Sequence, residues 1–145
     1  MIRTNFSSRY PFEDEYGYSR AVRVGDQVFV SGTTARAPHL DGDAYEQMMA
    51  AIATVAAALG EAGAEFRHVV RTVVYVIDMA DIGQIARAHE ETFGGSRPAS
   101  TLVKVAALTP AFGSRGDRGN GRHSRLSRVP SITSSRCSGP RSDRR

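Results

Sequence analysis

The sequence predicts an α+β fold, a mixed sheet with two helices on one face, and three observations predict it. Short β-rich runs alternate with longer stretches of helical periodicity. The apolar residues of each helical stretch fall on one stripe, and glycines close each stretch. The order along the chain is hairpin, helix, strand, helix, strand, so a βαβ half occurs twice and the second copy lacks its last strand.

Each element has a local cause. Ala21-Val-Arg-Val24 and Gln27-Val-Phe-Val-Ser31 are β-rich runs around Gly25-Asp26, which reads as a hairpin. Gly32 ends the second run, and Pro38 with Asp41-Gly42 makes residues 33–42 a loop. Asp43 opens a helix with Glu46 at the capping-box spacing. Met48, Ile52, Val55 and Leu59 then recur on one helical face, and Gly60 and Gly63 supply the stop.

His68 to Ile77 is a β-branched run with apolar residues on both faces: Val70, Thr72, Val74 and Val76 on one, Val69, Arg71, Val73, Tyr75 and Ile77 on the other. Such a strand is expected to be buried on both faces. Two helices cover only one side of a small sheet, so another copy of the chain is the simplest cover for the second. A further helix starts near Asp81, with Ile82, Ile85, His89 and Phe93 on its stripe and Gly94-Gly95 at its end. Thr101 to Leu108 reads as the last strand.

The 145 residues suit one domain, expected over residues 1–112, followed by a basic tail over 113–145. Charge separates the two regions. The tail carries nine Arg and two Asp, whereas residues 1–112 carry ten Lys and Arg against thirteen Asp and Glu. The overall net charge of +4 therefore belongs to the tail, and the acidic domain argues against a nucleic-acid partner. The single cysteine, Cys137, excludes a disulfide framework and a cysteine metal cluster. No histidine pairing has metal-ligand spacing; His89-Glu90-Glu91 lacks the second histidine of a zincin helix. Neither a leader-like apolar stretch nor a membrane-length apolar run is present, so a cytoplasmic protein is expected.

Four words arrive in order. They are Gly17-Tyr18-Ser19, Val28-Phe-Val-Ser-Gly-Thr-Thr-Ala35, Val69-Val-Arg-Thr-Val-Val-Tyr-Val-Ile-Asp78 and Arg97-Pro-Ala-Ser-Thr-Leu-Val-Lys-Val105. With this spacing, the chain over about residues 16–110 resembles the Rid (reactive intermediate deaminase) superfamily. The resemblance implies a chorismate-mutase-like fold, a homotrimer with small-molecule clefts between subunits, and no metal or organic cofactor. Its best-known branch hydrolyses 2-imino and 2-enamino acids to 2-oxo acids and ammonia. An arginine grips the substrate carboxylate and a glutamate handles water.

Tyr18 and Ser31 match the family's aromatic and hydroxyl positions beside the cleft, with Gly32 directly after. Other positions depart from the pattern. In the deaminase branch the arginine follows Pro-Ala, where this chain has Ser100, and Leu102 holds the cysteine-or-apolar position two residues on. Arg97 lies three residues before Ser100, an odd offset that points to the opposite face of a continuous strand, so it reaches the cleft only from a loop. The glutamate-bearing last strand is replaced by Ser114-Arg-Gly-Asp-Arg-Gly-Asn-Gly-Arg-His123. Codons for that stretch, read one base out of frame, permit Val-Glu-Ile-Glu-Ala, with the first glutamate at Gly116. The tail from residue 113 is accordingly read as out of frame or disordered. Two functions stay open: imine or enamine hydrolysis in an intersubunit cleft, and non-catalytic binding of a small metabolite there. RNA binding or cleavage ranks behind both.

Overall fold

Polar and apolar residues sort into two three-stranded sheets and two long helices in the computed structural model, which describes residues 1–108 and the backbone of residues 131–134. The order is β1 (Arg3–Phe6), α1 (Pro11–Tyr16), β2 (Ala21–Val24), β3 (Gln27–Val30), α2 (Ala44–Glu61), β4 (Arg71–Val76), α3 (Ile82–Phe93), β5 (Ala99–Lys104) and β6 (Ser131–Ser134). Short 3-10 turns precede α2, β4 and α3. The first sheet is an antiparallel meander in the order β1-β2-β3. In the second, ordered β5-β4-β6, β4 pairs parallel with β5 and antiparallel with β6, so that sheet is mixed as expected.

The hairpin forms where Gly25-Asp26 placed it, and Gly25 takes a positive φ of 58° at the turn. Asp43 caps α2 with both hydrogen bonds of the capping box: Glu46 N donates to the Asp43 carboxylate and Asp43 N to the Glu46 carboxylate. Met48, Ile52, Val55 and Leu59 are all at most 3% exposed, so the predicted stripe is the core face of α2. Against it pack Val28 and Val30 of β3, Val74 and Val76 of β4, and Ile85 and Phe93 of α3.

Five expectations need correction. β1 and α1 were not foreseen. On α3, Ile85 and Phe93 are buried and His89 half-buried, but Ile82 is 42% exposed because it occupies the helix's first position. β4 starts only at Arg71, after a 3-10 turn over Phe66–His68; hence Val69 is buried and Val70 half exposed, the reverse of a continuous strand. Within one chain β4 is fully buried on only one face, through Thr72, Val74 and Val76, while Arg71, Val73 and Tyr75 are half-buried. The last strand, expected to be missing, is supplied by Ser131–Ser134 along β4, where Ile132 and Thr133 are β-branched residues of the type strands favour. The stretch at 114–123, Gly116 and the rest of the tail lie outside the described residues.

Candidate functional site

The predicted site residues fall into two groups, each assembled by a different part of the chain. The first stands at the start of the hairpin. Pro11 fits the first turn of α1, and Gly17, at φ 75°, ends the helix in the left-handed conformation. That turn lays Tyr18 beside Arg20, whose side chain is only 4% exposed. The Arg20 guanidinium donates to the Tyr18 hydroxyl at 2.7 Å, the Thr33 hydroxyl at 2.8 Å and the Gly32 carbonyl at 3.3 Å. Its Nε lies 3.6 Å from a Glu13 carboxylate oxygen. The Ser31 hydroxyl donates to the Ser19 carbonyl at 2.7 Å. Tyr18, Ser31 and Gly32 are thus tied to one another through the backbone of β3 and the buried arginine.

Glu13 is the counterion, 3% exposed. Burial alone would raise its pKa. The hydrogen bonds from the Ser7 hydroxyl and from Ser8, with the charge of Arg20, outweigh burial and hold the carboxyl below its ordinary range. Phe12, Tyr16 and Tyr18 form an aromatic cluster over this pair, with ring centroids 5.5 to 6.2 Å apart.

The second group lines a cavity of about 390 Å³ between α3 and the start of β5. Val74, Ile85, Phe93 and Leu102 form apolar wall, and His89, Glu90, Arg97 and Ser100 bring polar groups. Arg97 is in the loop, two residues before β5 begins, so strand parity does not separate it from Ser100. Its backbone is left-handed at φ 46°, pinned by the Arg97 N–H donating to the Phe93 carbonyl at 2.7 Å. The Arg97 guanidinium is exposed and engages only the Gly94 carbonyl, through Nε at 3.4 Å. It is available to an anion.

Ser100 also has an inward connection. Its hydroxyl lies 2.9 Å from that of Thr72, which is fully buried, and the Thr72 hydroxyl lies 2.9 Å from His89 Nε2. Burial pushes the His89 pKa down, because half-buried imidazolium is poorly solvated there. Sequence reading missed Arg20, Glu13 and Thr72 as site residues, and saw His89 only as part of a helical stripe. A histidine on an otherwise apolar stripe is the one signal that pointed toward it.

Among the described residues no hydrogen bond, ion pair or ring contact joins the first group to the second within one chain. No cluster of metal-ligating side chains is found among them either. None of the described helices is long and apolar enough to cross a membrane.

Residues 11–113 match the protein family described as endoribonuclease L-PSP. The chain belongs to that family. It is the group to which the four sequence words pointed, the Rid superfamily. An uncharacterised Streptomyces coelicolor member is 40% identical over 98 residues, covering 66% of this chain and 73% of the relative. The mouse 2-iminobutanoate/2-iminopropanoate deaminase is 34% identical over 95 residues, covering 63% of this chain and 70% of the enzyme. Among solved structures, a Mycobacterium tuberculosis member of the YjgF/YER057c/UK114 family superposes with a TM-score of 0.77 at 34% identity. That match covers 94% of this chain and 99% of the other.

Proposed function

We propose that this Rid-family protein is a cytoplasmic, cofactor-free hydrolase of small imines or enamines, of the 2-imino acid deaminase kind, working as a homotrimer with its cleft between subunits. The observation that carries the proposal is the position of Arg97. The family's arginine is absent at Ser100, yet an exposed guanidinium stands at the mouth of the cavity that Ser100 and Leu102 line. A guanidinium binds a carboxylate through two parallel hydrogen bonds, which orients a 2-imino acid with its imine carbon toward the cavity. The separation of Tyr18, Ser31 and Gly32 from Arg97, Ser100 and Leu102 supports a cleft built by two chains, each giving one group. The half-exposed face of β4 supports the same arrangement, since a second copy would cover it. The ligand-binding domain is then residues 1–112, with Ser131–Ser134 adding the edge strand to its second sheet.

A second reading, non-catalytic binding of a small metabolite in the same cleft, is favoured by Ser100 standing where the deaminase branch has its arginine. RNA cleavage is disfavoured by the net negative charge of residues 1–112.

The deciding experiment generates 2-iminobutyrate in situ and follows 2-oxobutyrate release by the purified chain. The hydrolase reading expects acceleration over buffer, with Arg97→Ala losing about 10- to 100-fold in kcat/KM, as for a charged hydrogen bond removed. No acceleration, with the metabolite still bound in calorimetry, establishes the binder instead.

A further inference from the structure

The hydrolysis proposed above needs a group that takes a proton from water and later returns one to the departing nitrogen. The described residues offer one such path to the cavity. Ser100 is exposed at the cavity wall, Thr72 lies behind it at 0% exposure, and His89 closes the chain, with two successive separations of 2.9 Å. Register explains the alignment: Thr72 and Ser100 are direct partners in the parallel β4–β5 ladder, so both side chains leave the sheet on the same side, toward α3.

We propose that His89, Thr72 and Ser100 form a proton relay for this chemistry, with Ser100 holding the attacking water and His89 as the terminal base. The proposal rests on the hydrolase reading, and the substrate class is a small 2-imino acid whose carboxylate is held by Arg97.

Each hydroxyl in the chain has one hydrogen and free lone pairs, so the row can point either way. With the imidazole proton on Nδ1, Ser100 donates to Thr72 and Thr72 to His89 Nε2. With a proton on Nε2, every bond in the row reverses. The steps then balance. Water oxygen bonds to the iminium carbon, and the water proton passes through Ser100 and Thr72 to His89. Imidazolium returns a proton through the same row to the amino group of the carbinolamine. The C–N bond breaks as the C=O bond forms, and the hydroxyl proton leaves through the relay to the released ammonia. Iminium and water become ketone and ammonium, with no oxidation or reduction.

The surroundings keep His89 neutral near pH 7. Burial lowers its pKa, and the charged groups nearby are Glu90 on α3 and Arg97 on the loop, which line the same cavity. Elsewhere the charges are engaged. Arg87 and Glu91 of α3 meet Tyr45 of α2, Arg67 of the turn before β4 meets Glu65, and His68 accepts from the Glu65 N–H. Arg71 of β4 points to the opposite face, where it donates to Thr101.

The test compares wild type, Thr72→Val, Thr72→Ser, Ser100→Ala and His89→Gln for 2-iminobutyrate hydrolysis across pH 5 to 9, with thermal midpoints as fold controls. Thr72→Val removes the middle hydroxyl and keeps its shape. We expect it to lower kcat by about 100-fold or more with little change in KM, and to abolish the acid limb of the kcat profile that His89 sets. Thr72→Ser should restore both. Ser100→Ala, at an exposed position, and His89→Gln should show the same kcat loss, which keeps the test decisive if Thr72→Val does not fold. Wild-type kcat and an unchanged acid limb in folded Thr72→Val or His89→Gln overturn the relay alone. No turnover by wild type overturns the hydrolase reading and the relay together.

Discussion

At the scale of single residues, the most demanding group is the Arg20 side chain. A guanidinium with five N–H donors is buried only where partners answer them. Tyr18, Thr33 and the Gly32 carbonyl accept from its terminal nitrogens, while Nε makes no hydrogen bond and faces Glu13 at 3.6 Å. Replacing Arg20 by Met keeps the volume and strands the Glu13 charge. The four hydrogen bonds from Ser7 and Ser8 remain, so the loss should sit at the lower end of the buried-pair range, about 3 kcal/mol in urea denaturation. Acid should erase part of this difference. The folded pKa of Glu13 is depressed, so its contribution is full above its ordinary value of 4.5 and fades as pH falls through the lower folded value. Wild type and Arg20→Met should therefore differ less at about pH 3 than at pH 7; an equal gap at both would show that Glu13 is not the group left stranded.

At the scale of elements, the junction of α3 with the loop before β5 is tightly constrained. Gly94 has an ordinary helical φ of −57°, so its glycine is not explained by backbone conformation. Space explains it: a Cβ there would come within 2.6 Å of the Glu90 carbonyl oxygen. Gly94→Ala must push the helix end away, at about 1 to 3 kcal/mol. Because the loop then carries Arg97, KM for an anionic substrate should rise along with the fall in thermal midpoint. A lowered midpoint with unchanged KM would separate the two.

What the sequence made legible at this scale follows from element length. α2 is 18 residues long, with a capping box and about three turns of apolar stripe, so both its start and its buried face were readable. β1, Arg-Thr-Asn-Phe, has no apolar alternation, and α1 has six residues, too few for a helical period to repeat. The strand at Ser131–Ser134 is equally short and lies within the basic tail, which carries no such pattern. Of the candidate site, Tyr18, Ser31, Arg97 and Ser100 came from words in the sequence. The partners that give them chemistry did not. Arg20 meets Thr33, and Thr72 meets His89, only after the chain has folded back, and no local spacing encodes those pairs.

At the scale of the whole molecule, both sheets keep apolar side chains half open. Arg71, Val73 and Tyr75 of β4 are half-buried, Val103 of β5 is 37% exposed and Phe29 of β3 is 41% exposed. A strand that spends apolar residues on both faces is stabilised fully only when both are covered. Sedimentation of the wild-type chain should give a trimer, and Tyr75→Glu should shift it to monomer while the helix-covered face, and hence the circular dichroism, stays intact. A wild-type monomer in solution would sink the shared-cleft proposal.

The direct pairing of Thr72 with Ser100 also bears on how this chain can change in length. Loops usually accept gained or lost residues without consequence. Between Phe93 and Ala99 the backbone is already pinned by the left-handed Arg97 and its bond to the Phe93 carbonyl. An added residue that slips β5 by one position would turn Ser100 to the far side of the sheet and leave Thr72 without its neighbour. The loop between β3 and α2 carries no such constraint on that pair. An insertion scan should find catalysis intact with extra residues near Pro38 and abolished by a single one near Gly95, even where the protein still folds. The span between α3 and β5 behaves as a ruler, and the proposed relay depends on its length as much as on any side chain in it.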